Sequence, residues 1–148
     1  MAGGTSAAAG TSAAAGATSD ARPPRGLRPV GPHPSASHRV TVGEADLAGF
    51  ADGVVHRVYG TAAMVRDMEY AARLVLLPLL EPGEEGVGAE VWCRHHAPVP
   101  VGSAVELTAT ATEQTGRRLV CRVEARRGGE LVGEGAVTQV VVDRAGFP

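Results

Sequence analysis

Lysine is absent from all 148 residues: the 14 basic residues are arginines, set against 16 acids for a formal charge of −2. That balance presents no basic face to nucleic acid or anionic lipid, and five aromatic residues provide no stacking platform for single strands. Two cysteines, Cys93 and Cys121, are too few for a disulfide framework and read as free buried thiols. The longest apolar run, 74–80, is broken by Pro78 and falls far short of the ~20 residues that span a bilayer. Histidines with zinc-ligand spacing are also lacking. His95 and His96 are neighbours on a strand and point to opposite faces, so no metal site is expected. These absences leave a small soluble chain whose partner is neither nucleic acid nor membrane, but a small molecule or another protein.

What is present divides at about residue 38. The first 38 residues repeat TSAAAG in tandem and hold ten alanines, six glycines and five prolines, with only Leu27 and Val30 as larger aliphatics. Such a segment buries too little apolar surface to offset its ordering entropy, so 1–38 is expected to be a disordered tail. It lacks the charged and apolar regions of a secretory signal, so a tail or an over-extended start on a cytoplasmic protein is expected. Residues 39–148 carry 11 arginines and 15 acids. About 110 residues support one core, thin for a monomer.

In that part, HRVTV (38–42) predicts a strand and 43–53 a short helix ending at Gly53. A longer helix is predicted over 62–79, where Met64, Met68, Ala72, Val75, Leu76 and Leu79 fall in one stripe ~120° wide while Arg66, Asp67, Tyr70 and Arg73 lie outside it. Beyond residue 86 the pattern has period two. Val91, Cys93 and His95 share one face; Val105, Leu107, Ala109 and Ala111 share another, followed by Leu119, Cys121, Val123 and Ala125, and a last strand spans 131–143. One long helix with a meander of antiparallel strands is an α+β fold, a sheet wrapped on one helix. A single helix covers such a sheet poorly, which argues for dimerisation.

TAAMVRDME (61–69), LEPGEEGVG (80–88), HHAPVPVG (95–102) and GRRLVCRVEA (116–125) resemble the fluoroacetyl-CoA thioesterase-like family of hotdog-fold proteins. The resemblance implies a hotdog fold, a dimer with active sites at the subunit interface, and hydrolysis of acyl thioesters, on coenzyme A or an acyl carrier protein, without metal or cofactor. It also implies Thr61, Glu69 and His95 as the catalytic trio, with the Gly88 amide on the thioester oxygen. Two positions depart from the family pattern: Ala62 stands where proline is common, and GEGAVTQ (133–139) carries Val137 and Gln139 where the family often has histidine and arginine.

Thioester hydrolysis needs an activated hydroxyl or water, a base for its proton, and donors for the developing oxyanion. An imidazole suits the base, and a carboxylate at the edge of the helix stripe suits its partner. Met64 is a substrate-binding candidate, against a reading as core filling. Arg122, one of five arginines gathered around a single strand, could hold the phosphates of coenzyme A, against a reading as a solvated sheet face. Plain alternatives exist for the trio: Thr61 as a helix N-cap, Glu69 in an exposed pair with Arg73, His95 as a satisfied core histidine. At the level of function, the alternatives are a hotdog enoyl-thioester hydratase or dehydratase, and a non-catalytic acyl-thioester-binding subunit.

Overall fold

Residues 31–148 are described by a computed structural model. The expected tail lies outside these residues up to position 30. Strand β1 (Ser35–Thr41) already begins before the boundary placed at 39, so Ser35 to His38 belong to the sheet. A single-turn 3-10 helix (Glu44–Asp46) follows, then β2 (Leu47–Phe50) and β3 (Gly53–Tyr59), which pair as a hairpin. This replaces the short helix expected over 43–53. Gly49 weakens a helix there and lets the returning strand approach, since a Cβ on it would lie 2.9 Å from the Gly53 carbonyl oxygen, and Gly53, at φ 127°, supplies the turn that sends the chain back.

Helix α1 (Thr61–Leu76) forms as expected and ends in a 3-10 turn (Leu77–Leu79) where Pro78 interrupts the α pattern. No described helix is long and apolar enough to cross a membrane. Four long strands complete the chain: β4 (Glu84–His95), β5 (Ala104–Thr115), β6 (Arg118–Arg127) and β7 (Glu130–Asp143). With β1 they form one antiparallel sheet in the order β1-β5-β6-β7-β4. The inward residues Val105, Leu107, Ala109, Leu119, Cys121, Val123, Ala125 and Val137 are fully buried. They meet Met64, Met68, Ala72 and Leu76 of α1, which are likewise fully buried. Sheet wrapped on one central helix is the hotdog architecture.

Glycines on β7 bring the helix close. A Cβ added to Gly133 would lie 2.3 Å from Met64 Sδ, and one on Gly135 would lie 2.3 Å from the Trp92 carbonyl oxygen and 3.1 Å from Met68 Sδ. Helix α1 lies across all five strands, and these glycines admit it against β7, beside the strand β4 that carries candidate residues.

Candidate active site

The first turn of α1 is anchored before any site residue is placed. Gly60, the N-cap, donates its N–H to the Asp46 carbonyl at 2.7 Å, and a Cβ there would stand 3.1 Å from Ala48 Cα. Thr61 is thus the first helical residue, not the cap, and its hydroxyl is free for other work. Thr61 Oγ1 lies 3.1 Å from His95 Nδ1. His95 closes β4 opposite Gly133, the residue whose missing side chain is occupied by Met64. Met64 therefore backs the pair from inside the core, fully buried, and does not reach the site surface as the substrate-binding reading required.

Burial lowers the pKa of the His95 imidazole below its ordinary value; the Ala97 backbone opposes this in part, and the adjacent His96 adds to it. The neutral ring can accept a proton from a hydroxyl or water. His95 Nε2 is buried with no hydrogen-bond partner among the described residues. The pair opens onto a cleft of ≈ 310 Å³ lined by Ala48, Val58, Tyr59, His96 and Pro98 as well as its own two members. On the other side of Thr61 a second hollow of ≈ 300 Å³ runs under the hairpin, lined by Leu47, Phe50, Val55 and His56.

Glu69 and Gly88 form a separate pair. A Cβ built on Gly88 would stand 2.2 Å from Glu69 Oε1, so the carboxylate occupies the space a side chain would need. Gly88 and His95 are an odd number of residues apart and would face opposite ways in a regular strand. A bulge between Gly88 and Glu90 turns both toward the helix. The i,i+4 alternative for Glu69 does not form: Arg73 pairs with Glu85 at 2.9 Å instead. Eight helical residues separate Thr61 from Glu69, a rise of ~12 Å. One chain therefore presents two half-constellations along one helix, Thr61 with His95 and Glu69 with Gly88.

Arg122 is not brought to either pair. It lies on the outer face of β6, exposed, with Glu124 and Glu134 each 3.3 Å away. Gln139, in register with Gly88, is buried to 3 % exposure with its Nε2 unpartnered among the described residues. The cysteines are free; burial pushes the Cys93 thiol up and that of Cys121 up to about 11, which leaves both protonated and poor nucleophiles. No group of three or more metal-ligating side chains occurs among the described residues. Asp67, expected outside the apolar stripe, is buried to 5 % exposure and accepts a 2.7 Å hydrogen bond from the Tyr59 hydroxyl. Neither residue was marked by the sequence pattern.

Residues 42–145 match the family described as FlK, fluoroacetyl-CoA-specific thioesterase. The fluoroacetyl-CoA thioesterase of Streptantibioticus cattleyicolor is 38 % identical over 85 residues, which cover 57 % of this chain and 61 % of that protein. A Thermus thermophilus thioesterase superfamily member is 38 % identical, with a TM-score of 0.78 over 80 % of this chain and 88 % of its own. A mutant of the fluoroacetyl-CoA-specific thioesterase FlK, solved with fluoroacetate and CoA, is 28 % identical with a TM-score of 0.74, covering 80 % of this chain and all of that one.

Proposed function

The chain belongs to the fluoroacetyl-CoA-specific thioesterase family, and we propose that it hydrolyses an acyl-CoA carrying a small acyl group, at a site completed by a second copy of itself. The observation that carries this reading is the Thr61–His95 contact, an open hydroxyl against a neutral, half-buried imidazole at the mouth of a cleft. His95 takes the proton of the attacking oxygen, whether that of Thr61 itself or of a water that Thr61 positions. The Gly88 amide and Glu69 attend the carbonyl: the amide stabilises the developing oxyanion, and the carboxylate orients water and balances the imidazolium. Collapse of the tetrahedral species breaks the C–S bond, and the imidazolium returns its proton to the departing CoA thiolate. Attack by water leaves the carboxylic acid directly, whereas attack by Thr61 leaves an acyl-threonine ester that a water, deprotonated by His95, then hydrolyses to the acid and the free hydroxyl.

The dimer follows from where the two pairs sit. Strand β4 is an edge of the sheet, so its outer backbone groups have no strand beside them among the described residues. Antiparallel pairing of β4 with β4 of a second copy, about a two-fold axis near the strand's middle, sets the His95 end of one chain against the Gly88 end of the other. It also covers part of Trp92, now 49 % exposed. A relative solved with CoA supports coenzyme A as the carrier.

Thr61→Ala, Glu69→Gln and His95→Ala are each expected to abolish release of free thiol from acyl-CoA; wild-type rates in all three would end the proposal. Mixing His95→Ala with Glu69→Gln chains tests the shared site. A heterodimer has one intact composite site, so about a quarter of wild-type activity should return on subunit exchange. No recovery in a mixture shown to contain heterodimers would place both pairs in one chain's own site. Loss of enoyl absorbance without thiol release would instead favour a hydratase.

A further inference from the structure

Behind His95 stands a group of polar side chains that thioester chemistry does not require. Tyr59, the last residue of β3, is 1 % exposed. Its N–H donates to the Val99 carbonyl at 2.8 Å, and its ring meets the His95 imidazole edge-on, with centroids 6.3 Å apart and planes at 72°. The phenol donates to Asp67 Oδ2. Asp67 also accepts from Arg66 Nε at 3.0 Å, while Arg66 Nη2 donates to Asp46 Oδ1 at 2.7 Å. Asp46 in turn accepts from the Gly43 N–H at 2.9 Å.

A phenylalanine would fill the same space without a buried carboxylate beneath it. Burying Asp67 costs free energy that only charged and hydroxyl partners offset. What the phenol adds is fixation. The Tyr59 ring is held at its backbone end by Val99 and at its far end by an ionised acceptor, so it cannot retreat. Apart from the Tyr59 ring, the His95 imidazole has one side-chain hydrogen-bond partner among the described residues, Thr61, and an open cleft beside it. A firm wall keeps the ring in the plane that lets Nδ1 reach the hydroxyl and leaves Nε2 unspent. We propose that Tyr59 is a positioning residue for the His95–Thr61 pair, its ring anchored by the buried carboxylate of Asp67. The kinetic part rests on the hydrolase reading; the contact itself does not.

The groups facing His95 are few. They are the Thr61 hydroxyl from α1, the Tyr59 phenol from β3, held protonated by burial and by Asp67, and His96 on its own strand, whose Nε2 lies 3.1 Å from Glu134. Asp67 and Arg66 stand behind Tyr59.

The test uses Tyr59→Leu and Tyr59→Phe in the full chain, read by the NMR titration of the His95 imidazole and by acyl-CoA hydrolysis. Tyr59→Leu should lower kcat on the order of 10- to 100-fold with KM within about twofold, and should raise the His95 titration toward the ordinary value as water enters. Tyr59→Phe keeps the wall but frees it, and its kcat should fall between. A folded Tyr59→Leu protein with wild-type kcat and an unmoved titration overturns the proposal. If Tyr59→Leu does not fold, Tyr59→Phe decides alone: a severalfold lower kcat at constant KM supports it, and wild-type kcat overturns it. If His95→Ala itself turns over normally, the hydrolase reading fails, and the titration still decides whether Tyr59 controls His95.

Discussion

His95 is useful as a base only while neutral, and its surroundings favour that form. Burial holds its pKa below the ordinary 6.5, so the protonated ring accumulates only at a pH lower than for a free histidine. The acid limb of kcat/KM for acyl-CoA hydrolysis should therefore fall below pH 6.5; a limb at or above that value would mean another group takes the proton. The same shift has a sign for stability. The unfolded chain binds this proton more readily, so the contribution of His95 is complete above 6.5 and is lost as pH falls through the lower folded-state value. The sequence offers Thr61, Glu69 and His95 as candidates only through their order and spacing in a family pattern. Asp67 is not marked. It sits between Ala63 and Ala71 at i,i±4, and both alanines are buried, but of the two partners that make its burial tolerable only Arg66 is its neighbour in sequence; the other, Tyr59, comes from β3.

At the scale of elements, legibility followed amphipathicity. The long strands alternate because one face meets the helix, and α1 shows its stripe for the same reason. The β2–β3 hairpin has no such alternation: six of the seven residues of β3 before its buried end, from Gly53 to Val58, are exposed or only partly covered, so period two leaves no trace. The bulge beside Gly88 was equally invisible, because it exists only in the register against β7. The close approach of α1 to that strand gives a graded prediction. At Gly135 a Cβ meets the backbone of Trp92, which cannot swing away, whereas at Gly133 it meets the end of the Met64 side chain, a flexible thioether. Gly135→Ala should destabilise by ~1–3 kcal/mol or more in urea unfolding, and Gly133→Ala by less. The reverse order would show that the Met64 packing, and not the β4–β7 spacing, sets how near the helix can lie.

For the molecule as a whole the question is where the folded unit starts. Composition placed the boundary at 39, because SASH looks like the low-complexity residues before it. The sheet disagrees. Ser35 to His38 pair with Thr110 to Leu107, Ser37 Oγ lies 2.9 Å from Thr108 Oγ1, the Pro34 carbonyl accepts from the Ala111 N–H at 2.8 Å, and His38 meets Tyr70 of the helix with ring centroids 4.7 Å apart. Small polar residues suffice there because the register is supplied by β5, whose inner face is already fixed by Val105, Leu107 and Ala109. A chain cut to begin at residue 31 keeps all of β1. One begun at 39 loses half of β1, uncovers the backbone of β5 as a new edge, and should lose at least ~4 °C in Tm, the shift that ~1 kcal/mol produces in a domain of this size. If β4 is taken by a second copy, β1 is the other edge of the five-stranded sheet among the described residues, and the shorter chain should also associate further in light scattering. Equal melting of the two truncated chains would mean that β1 contributes nothing beyond Arg39, and that the boundary read from composition was the right one.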